Sequence, residues 1–122
     1  MTPESKVKTK FKTWLNKNED FHGIVISVQT HGFGASGHAD YTLVQDGVYY
    51  SVEVKASYKE KITALQEYRL KEVIKNRGHA IILNADNFKL ATKWLSNAFK
   101  NSKTRQTGDI MDFKDEYENI EN

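Results

Sequence analysis

Residues 39–55 read ADYTLVQDGVYYSVEVK, and this stretch decides the fold. It contains two runs rich in β-branched and aromatic residues, separated by Asp46 and Gly47. An Asp-Gly pair between two such runs is typical of a two-residue hairpin turn. We therefore predict one strand over residues 39–45 and a second strand over residues 48–55.

The register of this hairpin follows from its turn. Counting outward from Gln45 opposite Val48 places Asp40 directly opposite Glu53. Directly opposed residues share one face of a sheet, with their Cβ atoms roughly 4.5–5.5 Å apart. Lys55 lies two residues beyond Glu53 and projects from the same face. The other face is predicted to be core, and it carries Tyr41, Leu43, Tyr50, Val52 and Val54.

The opposed carboxylates of Asp40 and Glu53 indicate a metal site. Like charges held face to face are destabilising, and a divalent cation between them removes the conflict. Mg²⁺ binds one or two carboxylates and keeps several waters, and the backbone carbonyl of Val54 is a further candidate ligand. Such a metal lowers the pKa of a bound water, and Lys55 can orient the nucleophile or neutralise developing charge. The alternative is a solvated sheet face on which Glu and Lys alternate by chance.

The pattern on either side of the hairpin predicts the remaining elements. Apolar spacing and capping residues predict helices over Pro3–Asn16, Thr63–Asn76 and Asp86–Phe99, a buried strand over Ile24–Val28, a glycine-rich loop over His31–His38 and a strand over His79–Leu83. The expected order is helix, three strands, helix, strand and helix, an α/β fold. A crossover through the second helix should bring the last strand into the sheet.

Charge divides the chain into two parts. Residues 1–100 carry 15 Lys and Arg against 10 Asp and Glu, a net charge of +5, whereas residues 101–122 carry 3 against 6, a net charge of −3. We expect a single domain over residues 1–100 and an acidic tail over residues 101–122. The absence of cysteine excludes disulfides and thiolate metal sites and suits a cytoplasmic location. No apolar run approaches the roughly 20 residues of a membrane helix.

The acidic tail contains an apolar seam. Ile110, Phe113, Tyr117 and Ile120 recur at helical spacing. A helix this short is marginal in water unless it docks on something. We predict a helix over residues 109–120, packed on the core of the same chain or on a second subunit. The alternative is a disordered acidic end.

Two short motifs carry a family resemblance. The segments Gly37–Asp40 and Val52–Lys55, in this order of elements, resemble the PD-(D/E)XK nuclease superfamily. The segments Thr63–Gln66 and Gly78–Ala80 are similar to its VRR-NUC branch. The resemblance covers about residues 3–95, and it departs from the superfamily at Ala39, where proline is frequent.

The resemblance implies roles for individual residues. Asp40 and Glu53 would bind Mg²⁺, with Mn²⁺ as a substitute, Lys55 would be catalytic and Gln66 would support the site. Thr63-x-x-Gln66 also satisfies the capping-box pattern, so Gln66 has a competing structural role. Glu4 extends the apolar face of the first helix and is a further candidate for the site. Its alternative role is to complement the helix dipole.

The expected function is therefore a magnesium-dependent endonuclease that acts on DNA, either structure-selective or nonspecific. Candidate contacts to the nucleic acid are Lys6, Lys10, His38, Lys59 and Lys61. Standalone members of the VRR-NUC branch imply a homo-oligomer, a dimer or larger, and a phage-encoded enzyme in the host cytoplasm. Two alternatives stay open: a non-catalytic nucleic-acid-binding module, and a subunit that binds a protein partner on a nuclease-like fold.

Overall fold

The structure is a computed structural model that describes residues 1–27, 37–101 and 108–121. These residues form four helices and four strands: α1 (Pro3–Lys17), β1 (Ile24–Ser27), β2 (Tyr41–Gln45), β3 (Val48–Val54), α2 (Ala64–Lys75), β4 (His79–Leu83), α3 (Phe88–Lys100) and α4 (Lys114–Glu121). The mixed α/β class and the predicted order of elements are confirmed. Within the described ranges, no helix is long and apolar enough to cross a bilayer.

The predicted hairpin forms the centre of the sheet. Asp46 and Gly47 have φ values of 52° and 78°, the left-handed conformation that a two-residue turn with φ positive at both positions requires. The register runs from Gln45 opposite Val48 outward, as predicted. β1 pairs antiparallel with β2, and β4 pairs parallel with β3 after the crossover through α2. The sheet order is β1-β2-β3-β4.

The two faces of the sheet are covered by different helices. The main core lies on the face covered by α1 and α3, and its members include Phe11, Tyr41, Leu43, Tyr50, Val52, Val54, Leu83 and Leu95. This confirms the predicted core face of the hairpin. A smaller cluster of Ala39, Leu70 and Ala80 lies on the opposite face, under α2. Side chains alternate along a strand, so the polar residues of the hairpin face α2.

The first strand is not the buried strand that we predicted from Ile24–Val28. β1 forms, but all four of its residues are exposed. A run of apolar residues does not distinguish a central strand from an edge strand, and β1 lies at the edge of the sheet. Val28 and residues 31–36 of the predicted glycine-rich loop lie outside the described residues.

Just after α2, the left-handed backbone conformation that usually favours glycine is taken by a different residue. Arg77, rather than Gly78, takes the left-handed conformation, with φ at 69°. Gly78 is required for a different reason, because a Cβ there would lie 2.7 Å from Cγ1 of Val73 and 3.1 Å from the backbone oxygen of Tyr49. A side chain at this position would separate α2 from the sheet.

The acidic tail contacts the core of the same chain. Met111 forms an isolated parallel bridge with Ile81, because its N–H donates to Ala80 O and its C=O accepts from Ile82 N. These backbone groups are unavailable to a helix, and Phe113 has a left-handed φ of 58°. The predicted helix over residues 109–120 is therefore wrong in its first half, and α4 begins only at Lys114.

Candidate functional site

Asp40 immediately precedes β2, and its carboxylate reaches across to β3. Its Oδ2 accepts a hydrogen bond of 2.8 Å from the backbone N–H of Val54, the residue after Glu53. Asp40 is also close enough to Glu53 for its charge to raise the pKa of Glu53. The hairpin therefore brings the two acids together, as its register predicts. The carbonyl of Val54 as a metal ligand stays a prediction.

Glu53 is a buried acid, with only 3% of its surface exposed. Burial raises the pKa of Glu53 to about 8, and the charge and hydrogen bond of Asp40 add to the effect. The charge of Lys55 opposes this shift and lowers the pKa, whereas the charge of Glu4 raises it further. At neutral pH this carboxyl group therefore favours its protonated form, unless additional positive charge comes close to it.

Lys55 follows β3 and has a buried side chain, 9% exposed. Its Nζ lies 3.8 Å from Oε1 of Glu60, and the other oxygen of Glu60 accepts a hydrogen bond of 3.1 Å from Ala56 N. Glu60 is thus held beside Lys55 by the backbone of the same loop. Sequence reasoning missed Glu60, because no periodic element links it to the hairpin.

Lys8 is the second residue that sequence reasoning missed. Its Nζ lies 3.2 Å from Oδ1 of Asp40 and 3.4 Å from Oε2 of Glu4. Burial lowers the pKa of Lys8, but its interactions with Asp40 and Glu4 outweigh burial and raise that pKa. The spacing of Glu4 and Lys8, one helical turn, is a signal in the sequence for their ion pair. Nothing in the sequence signals the contact with Asp40.

Glu4 belongs to this cluster, as the sequence indicated. Burial raises the pKa of Glu4, and a hydrogen bond to Glu60 adds to the shift. The pKa of Glu60 is lowered by the hydrogen bond from Ala56 N, although burial opposes this change. Glu4 therefore interacts with both Lys8 and Glu60, which is more than a dipole-complementing acid in a first helical turn would do.

Gln66 fulfils both of the roles considered for it. Its side-chain Oε1 accepts a hydrogen bond from Thr63 N at 2.9 Å. Its backbone N–H donates to Oγ1 of Thr63 at 3.1 Å, which completes the capping box. Its Nε2 donates to Oε2 of Glu53 at 3.4 Å. The two roles are compatible because they use different atoms of one amide.

The predicted nucleic-acid contacts are all exposed, and they come from three separate segments of the chain. Lys6 and Lys10 lie on α1, and Nζ of Lys10 lies 4.3 Å above the ring of Phe88. Lys59 and Lys61 lie in the loop after β3. In the described part of the chain none of these four lysines forms an ion pair. His38 is exposed and borders a cavity between α2 and the hairpin.

The charge of the site fits a divalent cation. Four carboxyl groups meet two ammonium groups, a net charge of −2 when all are ionised: Glu4, Asp40, Glu53 and Glu60 against Lys8 and Lys55. Because their pKa values are raised, Glu4 and Glu53 bind a proton more readily than ordinary acids do, and protonation reduces this excess of negative charge. The oxygen donors are those that Mg²⁺ prefers. Among the described residues, however, no three His, Cys, Asp or Glu side chains are already arranged around a metal position.

Comparison with protein-family models, with curated proteins and with solved structures found no match.

Proposed function

We propose that this protein is a metal-dependent nuclease that hydrolyses phosphodiester bonds in DNA, as a structure-selective or nonspecific endonuclease. One observation carries the proposal: Asp40 meets the buried Glu53 in a cluster that also holds the buried Lys55. Such a cluster is costly for folding, because burial and the neighbouring carboxylate both oppose ionisation of Glu53. Strongly perturbed acids of this kind concentrate at functional sites.

Asp40 and Glu53 would hold Mg²⁺ or Mn²⁺, with the carbonyl of Val54 as a further ligand. A bound metal supplies a water of lowered pKa and polarises a phosphoryl oxygen. Gln66 would keep Oε2 of Glu53 in place through its amide donor. A cation at Asp40 would compete with Lys8 for Oδ1. Lys8 would then be released toward the phosphate of the substrate.

Lys55 has the environment of a residue that acts on developing negative charge. Its ammonium group is buried and has an acidic neighbour, Glu60, at 3.8 Å. A buried ammonium group interacts with a phosphoryl oxygen more strongly than a solvated one does. The exposed lysines Lys6, Lys10, Lys59 and Lys61, together with His38, would contact the phosphates on either side of the cleaved bond.

The resemblance to the PD-(D/E)XK superfamily and its VRR-NUC branch supports the same proposal. It implies a restriction-endonuclease-like core over residues 1–100, a homo-oligomer and a cytoplasmic enzyme, in the host if phage-encoded. For these three properties the resemblance is the only support.

A second function is favoured by the contacts of Lys8. Both oxygens of Asp40 have partners in the chain itself, Lys8 at Oδ1 and Val54 N at Oδ2. An acid satisfied in this way suits a non-catalytic nucleic-acid-binding module or a subunit for a protein partner. Metal-dependent cleavage of DNA separates the nuclease from these alternatives.

The decisive experiment is a cleavage assay on single-stranded, duplex, flap and four-way-junction DNA, with Mg²⁺, with Mn²⁺ and with EDTA. We expect cleavage that requires metal and that falls at least about 100-fold in Asp40→Asn, Glu53→Gln and Lys55→Ala. Glu67→Gln is the matched control, because Glu67 is an exposed acid of α2 whose ion-pair partner is Lys71. Wild-type rates in purified, folded Glu53→Gln protein would show that the proposed site is wrong.

A further inference from the structure

A cavity of about 350 Å³ lies between α2 and the hairpin. It opens on the face of the sheet that carries Glu53, and Ser51 in its floor lies two residues before Glu53 on β3. Two residues of a strand span about 6.6 Å, and both side chains point to the same side. The cavity is therefore a neighbour of the acidic site.

The floor of the cavity contains two hydroxyl groups. Thr42 and Ser51 are opposite each other in the hairpin and are only 8% and 3% exposed. In the part of the chain that the structure describes, neither side chain forms a hydrogen bond. The hydroxyl oxygens of Thr42 and Ser51 are not among the buried atoms left without a partner, so they reach the open space of the cavity and are available to hydrogen-bond to a polar ligand there.

The walls of the cavity suit a flat, uncharged ligand. Leu70 and Val73 of α2 supply an apolar wall, and Tyr49 borders the cavity with a ring that is 44% exposed. The Arg69–Glu72 ion pair, at 3.0 Å, lies on the same wall and balances its own charge. Among the described residues of this wall the charges of Arg69 and Glu72 offset each other, which favours an uncharged ligand, and a nucleobase combines an aromatic face with polar edges.

We infer that this cavity receives one unpaired nucleobase of the DNA substrate, next to the bond that is cut. The inference rests on the proposed nuclease function and specifies its substrate. A paired base has its hydrogen-bonding edge occupied, so only a single-stranded, flipped or mismatched nucleotide can enter. Tyr49 would stack on the base, and Thr42 and Ser51 would hydrogen-bond to its edge.

The first test compares two duplexes that differ at one position, where one has an unpaired base and the other an abasic residue. The wild type should cut the first duplex at least about fivefold faster, the lower end of what one base–aromatic stack provides. In Tyr49→Ala and Ser51→Val this ratio should fall toward one. Tyr68→Ala should keep the wild-type ratio, because Tyr68 is an exposed tyrosine of α2 outside the cavity. Equal cleavage of both duplexes by the wild type would overturn the inference and leave the nuclease proposal standing.

The second test needs no cleavage. A single-stranded oligonucleotide carries one 2-aminopurine between two abasic residues, and its fluorescence is measured with the full-length protein in EDTA. Stacking on Tyr49 should quench the fluorescence, and Tyr49→Ala should bind without quenching. Quenching by a protein that cuts no DNA would support the cavity while refuting the nuclease. Binding of the oligonucleotide without quenching, or no binding, would overturn the inference.

Discussion

The side-chain amide of Gln66 donates to Oε2 of Glu53 at 3.4 Å while its carbonyl oxygen accepts from Thr63 N. One residue therefore links the start of α2 to the buried acid of β3. The capping box holds the amide in position, so the helix end and the site are not independent of each other.

This link predicts different effects for two substitutions. Gln66→Glu keeps the capping-box acceptor but replaces the amide donor with a carboxylate, so the pKa of Glu53 should rise. Thr63→Ala removes the cap and should cost about 0.5–2 kcal/mol in the free energy of unfolding. Titration of Glu53 followed by NMR, together with urea unfolding, checks both. An unchanged pKa of Glu53 in Gln66→Glu would contradict the link.

The raised pKa of Glu53 predicts how stability depends on pH without metal. Between about pH 4.5 and pH 8 the folded chain keeps a proton that the unfolded chain releases. The contribution of Glu53 to the free energy of unfolding should therefore be fully present below about pH 4.5 and decrease as pH rises to about 8, by an amount on the order of a few kcal/mol. Glu53→Gln should remove this decrease, and Glu67→Gln should not. Metal that binds the folded state should oppose the decrease and raise Tm.

His79 predicts the opposite slope at lower pH. It is buried between the rings of Tyr50 and Trp94, and its Nδ1 has no hydrogen-bond partner among the described residues. Burial lowers the pKa of His79 below its ordinary value of 6.5. The folded state therefore resists a proton that the unfolded state accepts, and stability should be lost as pH falls below about 6.5.

The test of this prediction is His79→Leu, compared with wild type by urea unfolding from pH 7.5 to pH 5. The apolar substitute should reduce the part of the acid destabilisation that His79 causes. His22→Leu is the control, because His22 is exposed and lies in the loop before β1. An equal loss of stability in wild type and His79→Leu would assign the acid sensitivity to other groups.

The tail should contribute to stability. The backbone carbonyl oxygen of Asp112 accepts hydrogen bonds from Tyr58 Oη at 2.6 Å and from Asn87 Nδ2 at 2.8 Å, and Asn87 is fully buried. Truncation after Asn101 leaves these donors without that partner and removes Met111 and Phe113 from the core. We expect a loss of at least about 2 kcal/mol, given about 1–3 kcal/mol for each buried group left unpaired. Circular dichroism during heating measures it.

Two substitutions distinguish the residue of the apolar seam that docks on the body of the protein from one that stays exposed. The ring of Tyr117 packs against that of Tyr58 in a tilted arrangement, with centroids 5.2 Å apart, whereas Ile120 is 67% exposed. Tyr117→Ser should destabilise the protein, and Ile120→Ser should be neutral within about 0.5 kcal/mol. If neither the truncation nor Tyr117→Ser changed Tm, the docked tail would contribute nothing to stability. Faster cleavage at low salt by the truncated protein would show that the acidic tail also restrains activity.

The sequence by itself determined the hairpin and the meeting of Asp40 with Glu53. This was possible because an Asp-Gly turn and a side-chain period of two are local properties, and together they leave one register. The three main helices follow for the same reason, since their caps and apolar spacing are also local. The capping-box contact of Gln66 follows from the local spacing of Thr63 and Gln66, whereas its contact with Glu53 was expected only from the family resemblance.

Tertiary structure alone decided which other charges join the site. Lys8 reaches Asp40 from a helix 32 positions earlier in the chain, and Glu60 reaches Lys55 from an irregular loop. It also decided that β1 is an exposed edge, and that Met111 pairs with the β4 backbone instead of continuing a helix. Each of these depends on which element packs beside which, and side-chain periodicity within one element carries no information about its neighbours.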